Sequence, residues 1–229
     1  MEIYRKMIWL QNLEKYYRER GKTIEVFRRT NLLIPDGLSI GILGAPGAGK
    51  TTLMKLLAGA ELPSSGTVEI EGKLLWSKGI NPALHPKMTL RQNLRFLCRL
   101  YSRDDKEMES MVEKILELSG LHEYAEVIGS KIPAREKALL NHAIIITLDI
   151  GWLLLEGFPV SKKNESIHEA MREKIARTST ILASNNQKHL LEYCDAGIVL
   201  YDHNLHYFEN ISEAVDFNKE KMETYEQTA

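Results

Sequence analysis

Eight consecutive residues, Gly44-Ala45-Pro46-Gly47-Ala48-Gly49-Lys50-Thr51, have the types and spacing needed to hold a chain of phosphates. They fit G-x-x-x-x-G-K-[ST], the loop that cradles the phosphates of ATP or GTP. Glycines let the backbone bend until its N–H groups face an anion, and a helix starting behind the loop adds positive potential. Lys50 is expected to reach the β- and γ-phosphates, and the Thr51 hydroxyl to serve Mg²⁺. Ala45, Pro46 and Ala48 are the intervening residues of the same phosphate-binding stretch, which Thr52 continues.

Such a loop works only between a strand and a helix. Ser39–Leu43 is a short apolar run that reads as a buried strand, and Thr51–Ala58 reads as the helix. Ahead of them, Met7–Tyr16 and Thr23–Phe27 read as strands, with turns at Gly21 and at Pro35-Asp36-Gly37. Ser64-Ser65-Gly66 reads as another turn before the alternating strand Thr67–Ile70. The middle of the chain is helical. Thr89-Leu90-Arg91-Gln92 has capping-box form ahead of a helix Leu90–Tyr101. Lys106–Ser119 repeats apolar residues at Met108, Met111, Val112, Ile115 and Leu118, a core stripe that Gly120 ends. Pro133 is placed to start a helix running to about Leu148. Strands Trp152–Leu155, Thr180–Ser184 and Ile198–Tyr201 then alternate with helices Ser166–Arg177 and Lys188–Cys194. Leu205–Phe208 reads as a hairpin partner and Ile211–Asn218 as a closing helix. Such alternation predicts an α/β fold with a mostly parallel sheet.

Composition narrows the setting. The chain has 229 residues, 44% hydrophobic and 27% charged, with a formal net charge of −1, so no overall field draws it to nucleic acid. Cys98 and Cys194 are too few for a disulfide framework and read as small apolar packing residues. Glu2, Arg5 and Lys6 precede no apolar run of signal-peptide type. The most apolar stretch, Ala143 to Phe158, is broken by Asp149 and Glu156 and is shorter than the ~20 residues a spanning helix needs. A cytoplasmic protein is expected, touching a membrane only through a partner. His203 and His206 read as a solvated turn rather than a metal site. Lys162, Lys163, Arg172, Lys174 and Arg177 read as an exposed helix face rather than a nucleic-acid patch.

The order of these parts resembles the ATP-binding subunit of ABC transporters, and within that family the branch exporting capsular and O-antigen polysaccharides. The resemblance runs over nearly the whole chain. It rests on Leu10 to Tyr17, on Leu33 to Gly37, on the Walker A unit Leu43 to Ala58 and on Pro63 to Val68. Thr89 to Tyr101, with Asn93-Leu94-Arg95-Phe96 inside it, and Glu192 to Leu200 resemble the polysaccharide-export branch. The resemblance implies a single P-loop NTPase domain of ABC type over 1–229. It would have an N-terminal antiparallel β part and a helical subdomain at about 89–148. It implies that Tyr17 stacks on adenine and that ATP and Mg²⁺ are the ligands. Two such subunits, as a homodimer or heterodimer, would sandwich two ATP molecules. Closure would pass to a membrane-spanning permease at the inner face of the cell membrane, with Leu84 to Thr89 as the contact.

Several motifs of that family are altered. Where its L-S-G-G-Q signature should precede a helix, the chain reads Ser130-Lys131-Ile132-Pro133-Ala134-Arg135. Proline removes a donor there, and Ala134 adds a side chain where close backbone approach is needed. The Walker B strand should end in two carboxylates but reads Trp152-Leu153-Leu154-Leu155-Glu156-Gly157. In one register Leu155 replaces the Mg²⁺-orienting aspartate and Glu156 keeps the place of the catalytic base. A slip of one residue makes Glu156 the metal-side acid and leaves Gly157 for the base. Asn185 stands where the switch histidine should sense the γ-phosphate, and it cannot exchange a proton near pH 7. His85 falls near the place of the metal-contacting Q-loop glutamine. The losses imply weakened hydrolysis. The alternative they raise is a non-hydrolysing, ATP-dependent binding or regulatory subunit of an export complex.

Overall fold

A computed structural model describes residues 7–157 and 165–228. Glu2, Arg5, Lys6, Phe158, Lys162 and Lys163 lie outside them. The chain first forms strands β1 (Met7–Glu19), β2 (Lys22–Pro35) and β3 (Ser39–Gly44), then helix α1 (Lys50–Leu57), then β4 (Ser65–Ile70) and β5 (Leu74–Trp76). Four helices follow, α2 (Ser77–Ala83), α3 (Leu90–Arg99), α4 (Asp105–Ser119) and α5 (Ala134–Thr147). The last third alternates β6 (Trp152–Glu156), α6 (Glu165–Arg177), β7 (Ser179–Ala183), α7 (Gln187–Tyr193), β8 (Ala196–Tyr201), β9 (Asn204–Phe208) and α8 (Ile211–Thr228). These elements fall into two compact units. The first holds the chain up to Leu74 with 151–157 and 175–228, and the second holds 75–150 with 165–174.

In the first unit, β1 pairs antiparallel with both β2 and β4, giving a three-stranded sheet of order β2-β1-β4. The turn into β2 uses Arg20 and Gly21, both at positive φ. Ser65 and Gly66 belong to β4 rather than to the expected turn. A Cβ on Gly66 would run into the backbone carbonyls of Gln11 and Asn12, so the strand pairs there only because the residue is glycine. The larger sheet carries β6-β7-β3-β8-β9 in that order. Strands β6, β7, β3 and β8 run parallel to one another, and β9 returns antiparallel to β8. Ile40, Ile42, Leu153, Leu154, Leu155, Ile181 and Ile198 are fully buried. Continuous apolar runs of this kind mark strands covered on both faces. Helix α8 runs well past Asn218, where the sequence suggested it would end.

In the second unit, α3 opens with the expected capping box: Thr89 Oγ1 accepts from Gln92 N–H, and the Gln92 side chain accepts from Thr89 N–H. Helix α4 starts from an Asp104 cap and stops at Gly120, which is left-handed at φ 67. Its core stripe is Val112, Ile115 and Leu116. Met108 and Met111 are only half-buried, and Leu118 is 37% exposed, so the expected stripe is corrected by part of a turn toward Leu116. Lys174 does not lie on an open face as expected. It is half-buried and donates to the Leu148 carbonyl at 2.5 Å, and burial lowers its pKa. Arg172 and Arg177 are exposed. Both cysteines are buried free thiols, and burial pushes the pKa of each up to about 12. Among the described residues, no helix is long and apolar enough to cross a membrane.

Candidate phosphate-binding site

The phosphate loop leaves the end of β3 and enters α1, as its sequence requires. Gly44, Gly47 and Gly49 all have positive φ, at 144°, 84° and 103°. At Gly49 the reason is close packing as well as conformation, because a Cβ would collide with Val26 Cγ1 at 2.5 Å and press on the Phe27 ring. Gly49 is also the N-cap of α1, and no side chain caps that end. The first N–H groups of α1 therefore remain available to an anion.

Lys50 lies back along the loop and donates to the carbonyls of Gly44 at 2.6 Å and Ala45 at 3.0 Å. Burial lowers its pKa, a cost that a neighbouring phosphate would offset. Thr51 is exposed, and its hydroxyl donates to Glu156 Oε2 at 3.4 Å. Glu156 ends β6 and is half-buried, whereas Leu155, one residue earlier, is fully buried in the core. The strand therefore offers one carboxylate toward the loop, and the position before it faces away. The glycine conformations, the uncapped helix start, the cation and the paired Thr51 and Glu156 oxygens suit a Mg²⁺–triphosphate.

Tyr17 comes to the same helix from β1. Its hydroxyl donates to Glu61 Oε2 at 3.0 Å and stands 3.4 Å from Thr52 Oγ1. On the other flank of the loop lies a cavity of about 290 Å³, bounded by Ile24, Val26, Phe27, Pro46, Lys221 and Met222 among others. Asn185 is exposed just beyond the carboxyl end of β7. Its neighbour Asn186 has a structural task, accepting from Lys188 N–H as the cap of α7.

His85 and the signature position belong to the second unit. His85 is exposed; its N–H donates to Asn93 Oδ1 at 2.6 Å and its Nδ1 accepts from Lys87 N–H at 3.3 Å. Buried Asn93 also donates to the carbonyls of His85, Met88 and Thr89, which fixes the 85–89 loop. At the signature position, a single turn at Gly129–Lys131 leads to Pro133 as the N-cap of α5, again without a side-chain cap. His203 sits at the hairpin turn with φ 62, and the His206 ring on β9 packs 5.4 Å from Phe217.

Sequence reasoning missed Lys15 and Glu61. Lys15 is buried on β1 and pairs with Glu61 at 2.7 Å. The signal was available, because Lys15 takes an inward position in a strand whose other inward residues are Ile8, Leu10 and Leu13. A lysine there demands a partner.

The family model described as ABC transporter matches residues 27–140. Over 93% of its length the chain is 29% identical to the polysialic acid transport ATP-binding protein KpsT of Escherichia coli, covering 100% of that protein. It is 31% identical to the ATP-binding protein BexA of Haemophilus influenzae, over 93% of the chain and 99% of BexA. It is 28% identical to the capsule polysaccharide export ATP-binding protein CtrD of Neisseria meningitidis serogroup B, over 92% and 98%. Among solved structures, an ATP-binding subunit of an ABC transporter superposes with a TM-score of 0.75 at 16% identity, over 92% of this chain and 93% of that one. The dimeric post-hydrolysis ATP-binding cassette MJ0796, bound to ADP and Pi, gives 0.70 at 18% identity, over 89% and 98%.

Proposed function

We propose that this chain, which belongs to the ABC transporter family of ATP-binding proteins, is the nucleotide-binding subunit of an exporter of capsular or related surface polysaccharide. The observation that carries the reading is the end-to-end match to KpsT, BexA and CtrD around an intact phosphate loop. Gly44 to Thr52 hold the phosphates of ATP, Lys50 neutralises them, and Tyr17 stacks on the adenine. Thr51 and Glu156 hold Mg²⁺, which when bound neutralises phosphate charge. The whole chain acts as one nucleotide-binding domain, with the second unit as its helical subdomain. The subunit pairs with a second nucleotide-binding subunit, identical or not. It works in the cytoplasm, held to the membrane through a permease that contacts Leu84 to Thr89.

Hydrolysis is weak in this reading. Glu156 is one carboxylate with two tasks, since an acid engaged with the Thr51 hydroxyl and the metal is poorly placed to take a proton from water. Leu155 gives no help from the core, and Asn185 gives a γ-phosphate contact without proton exchange. Those same features favour a second reading, a non-hydrolysing subunit that uses ATP as a structural ligand.

Steady-state Mg·ATP hydrolysis by the purified chain, with Lys50→Ala as control, separates the two. Turnover that vanishes in the control supports the motor. Turnover equal to the control, with ATP still bound by the unaltered chain, supports the non-hydrolysing subunit. Failure to bind ATP overturns both. Co-purification with a membrane-spanning permease subunit tests the partner, and Leu84→Asp with Met88→Asp is expected to abolish it.

A further inference from the structure

We propose that Lys15 and Glu61 are positioning residues for Tyr17, fixing its ring as a platform for the nucleobase of the bound nucleotide. The inference rests on the nucleotide-binding reading above and adds two residues to it. Lys15 is buried, and its ammonium donates to the Leu62 carbonyl at 2.9 Å and pairs with Glu61 Oε1 at 2.7 Å. The same ammonium stands 4.8 Å from the centre of the Tyr17 ring, covering one face. A stacked base takes the opposite face of this half-buried ring.

Glu61 divides its two oxygens between the other two residues. Oε1 serves Lys15, and Oε2 accepts the Tyr17 hydroxyl at 3.0 Å, with Lys55 of α1 at 3.9 Å. Lys15 holds the Glu61 carboxyl below its usual pKa, so Glu61 is an acceptor at neutral pH. With its proton given to Glu61, the Tyr17 oxygen is free to accept from the Thr52 hydroxyl at 3.4 Å. Glu61 itself is tied to the end of α1, where its N–H and that of Ala60 donate to the Lys55 carbonyl. One helix thus carries phosphate-contacting residues at its start and the anchor of the base platform beyond its end. Preorganising the ring reduces the ordering cost of binding the base.

The test compares two ligands that differ by the nucleoside. Affinities for Mg·ATP and for Mg·tripolyphosphate are measured by calorimetry on the full chain and on Glu61→Gln, Lys15→Met and Tyr17→Phe. Glu61→Gln is expected to weaken ATP about tenfold and tripolyphosphate less than about twofold. Tyr17→Phe keeps the ring, removes the hydroxyl that Glu61 and Thr52 engage, and is expected to lose ATP alone by about threefold. It remains informative if a charge variant fails to fold. A folded variant that loses both ligands alike, or neither, overturns the positioning role. If the unaltered chain binds neither ligand, the nucleotide-binding reading falls first.

Discussion

The starts of α1 and α5 are both uncapped by any side chain, and they are built in opposite ways. At α1 the cap is Gly49 at φ 103, preceded by two more glycines in left-handed conformations and followed by Lys50. At α5 the cap is Pro133 at φ −62, followed by Ala134 and Arg135. Both ends present N–H groups and a positive dipole. The first also clears side chains from the path of a phosphate and supplies a cation at the loop. The second keeps the Pro133 ring and the Ala134 side chain in that path. A helix N-terminus alone does not make a phosphate site; backbone access and a placed charge decide it. The asymmetry also separates binding from turnover. In the proposed reading the start of α1 would hold this chain's own nucleotide, while the start of α5, with Pro133 and Ala134 in place of glycines, is where a partner's nucleotide would be met.

The largest effect is expected at the intact start. Lys50→Ala removes the loop's own cation, and Mg·ATP affinity is expected to fall by on the order of 10²-fold or more, read by calorimetry or by a fluorescent analogue. The fold is expected to survive, because the Lys50 ammonium bonds to the Gly44 and Ala45 carbonyls of its own loop. An unchanged affinity would erase the contrast between the two helix starts.

Glu156→Gln comes next and tests the other half of the contrast. Whatever turnover the chain retains is expected to fall by on the order of 10²–10⁴, while ATP binding persists. Leu155→Asp is no simple repair, because Leu155 is fully buried between core strands. Placing an acid there is expected to cost several kcal/mol, about 2–5 from lost packing alone, and to appear first as a lowered melting temperature.

How much of this was legible beforehand differs between the same two regions. The phosphate loop, β3 and α1 could be read from local pattern, since glycine spacing, an apolar run and a helix start lie within a few turns of chain. The alternation of β6 to β8 with α6 and α7 was legible for the same reason. Strand β5 and helix α2 were not. A three-residue strand gives no period, and Gly79 and Pro82 inside a seven-residue helix read as breakers. The core stripe of α4 was misjudged because Met108, Met111 and Leu118 fit one helical face and Leu116 an adjoining one. Packing, which the sequence does not display, chose Val112, Ile115 and Leu116. The pairing of Lys15 with Glu61 joins a strand to the end of a distant helix. The buried lysine announced that a partner existed without saying which.

A smaller effect is expected at the altered start. Pro133→Gly with Ala134→Gly opens the α5 cap to close backbone approach. It is expected to cost up to about 1 kcal/mol per glycine in a helix. If those side chains keep a second subunit's phosphate away, ATP-dependent dimerisation is expected to rise by a few-fold, read by light scattering. Dimerisation that stays flat would mean that the missing glycines are not what sets α5 apart from α1.

The smallest effect belongs to a helix start that is capped. At α3, Thr89 and Gln92 satisfy each other's backbone donors in a closed box, leaving nothing for a ligand. Thr89→Ala is expected to cost about 1 kcal/mol of stability, as such caps do. For a chain of this size that is a shift in melting temperature of about 2–4 °C. Affinity for Mg·ATP is expected to stay the same. The three helix starts would then differ in kind: one that binds through its open end, one whose open end is obstructed, and one whose end is closed by its own side chains. A Thr89→Ala chain that lost ATP affinity as Lys50→Ala does would show that stability alone governs binding, and the ranking of helix ends by their access to phosphate would fail.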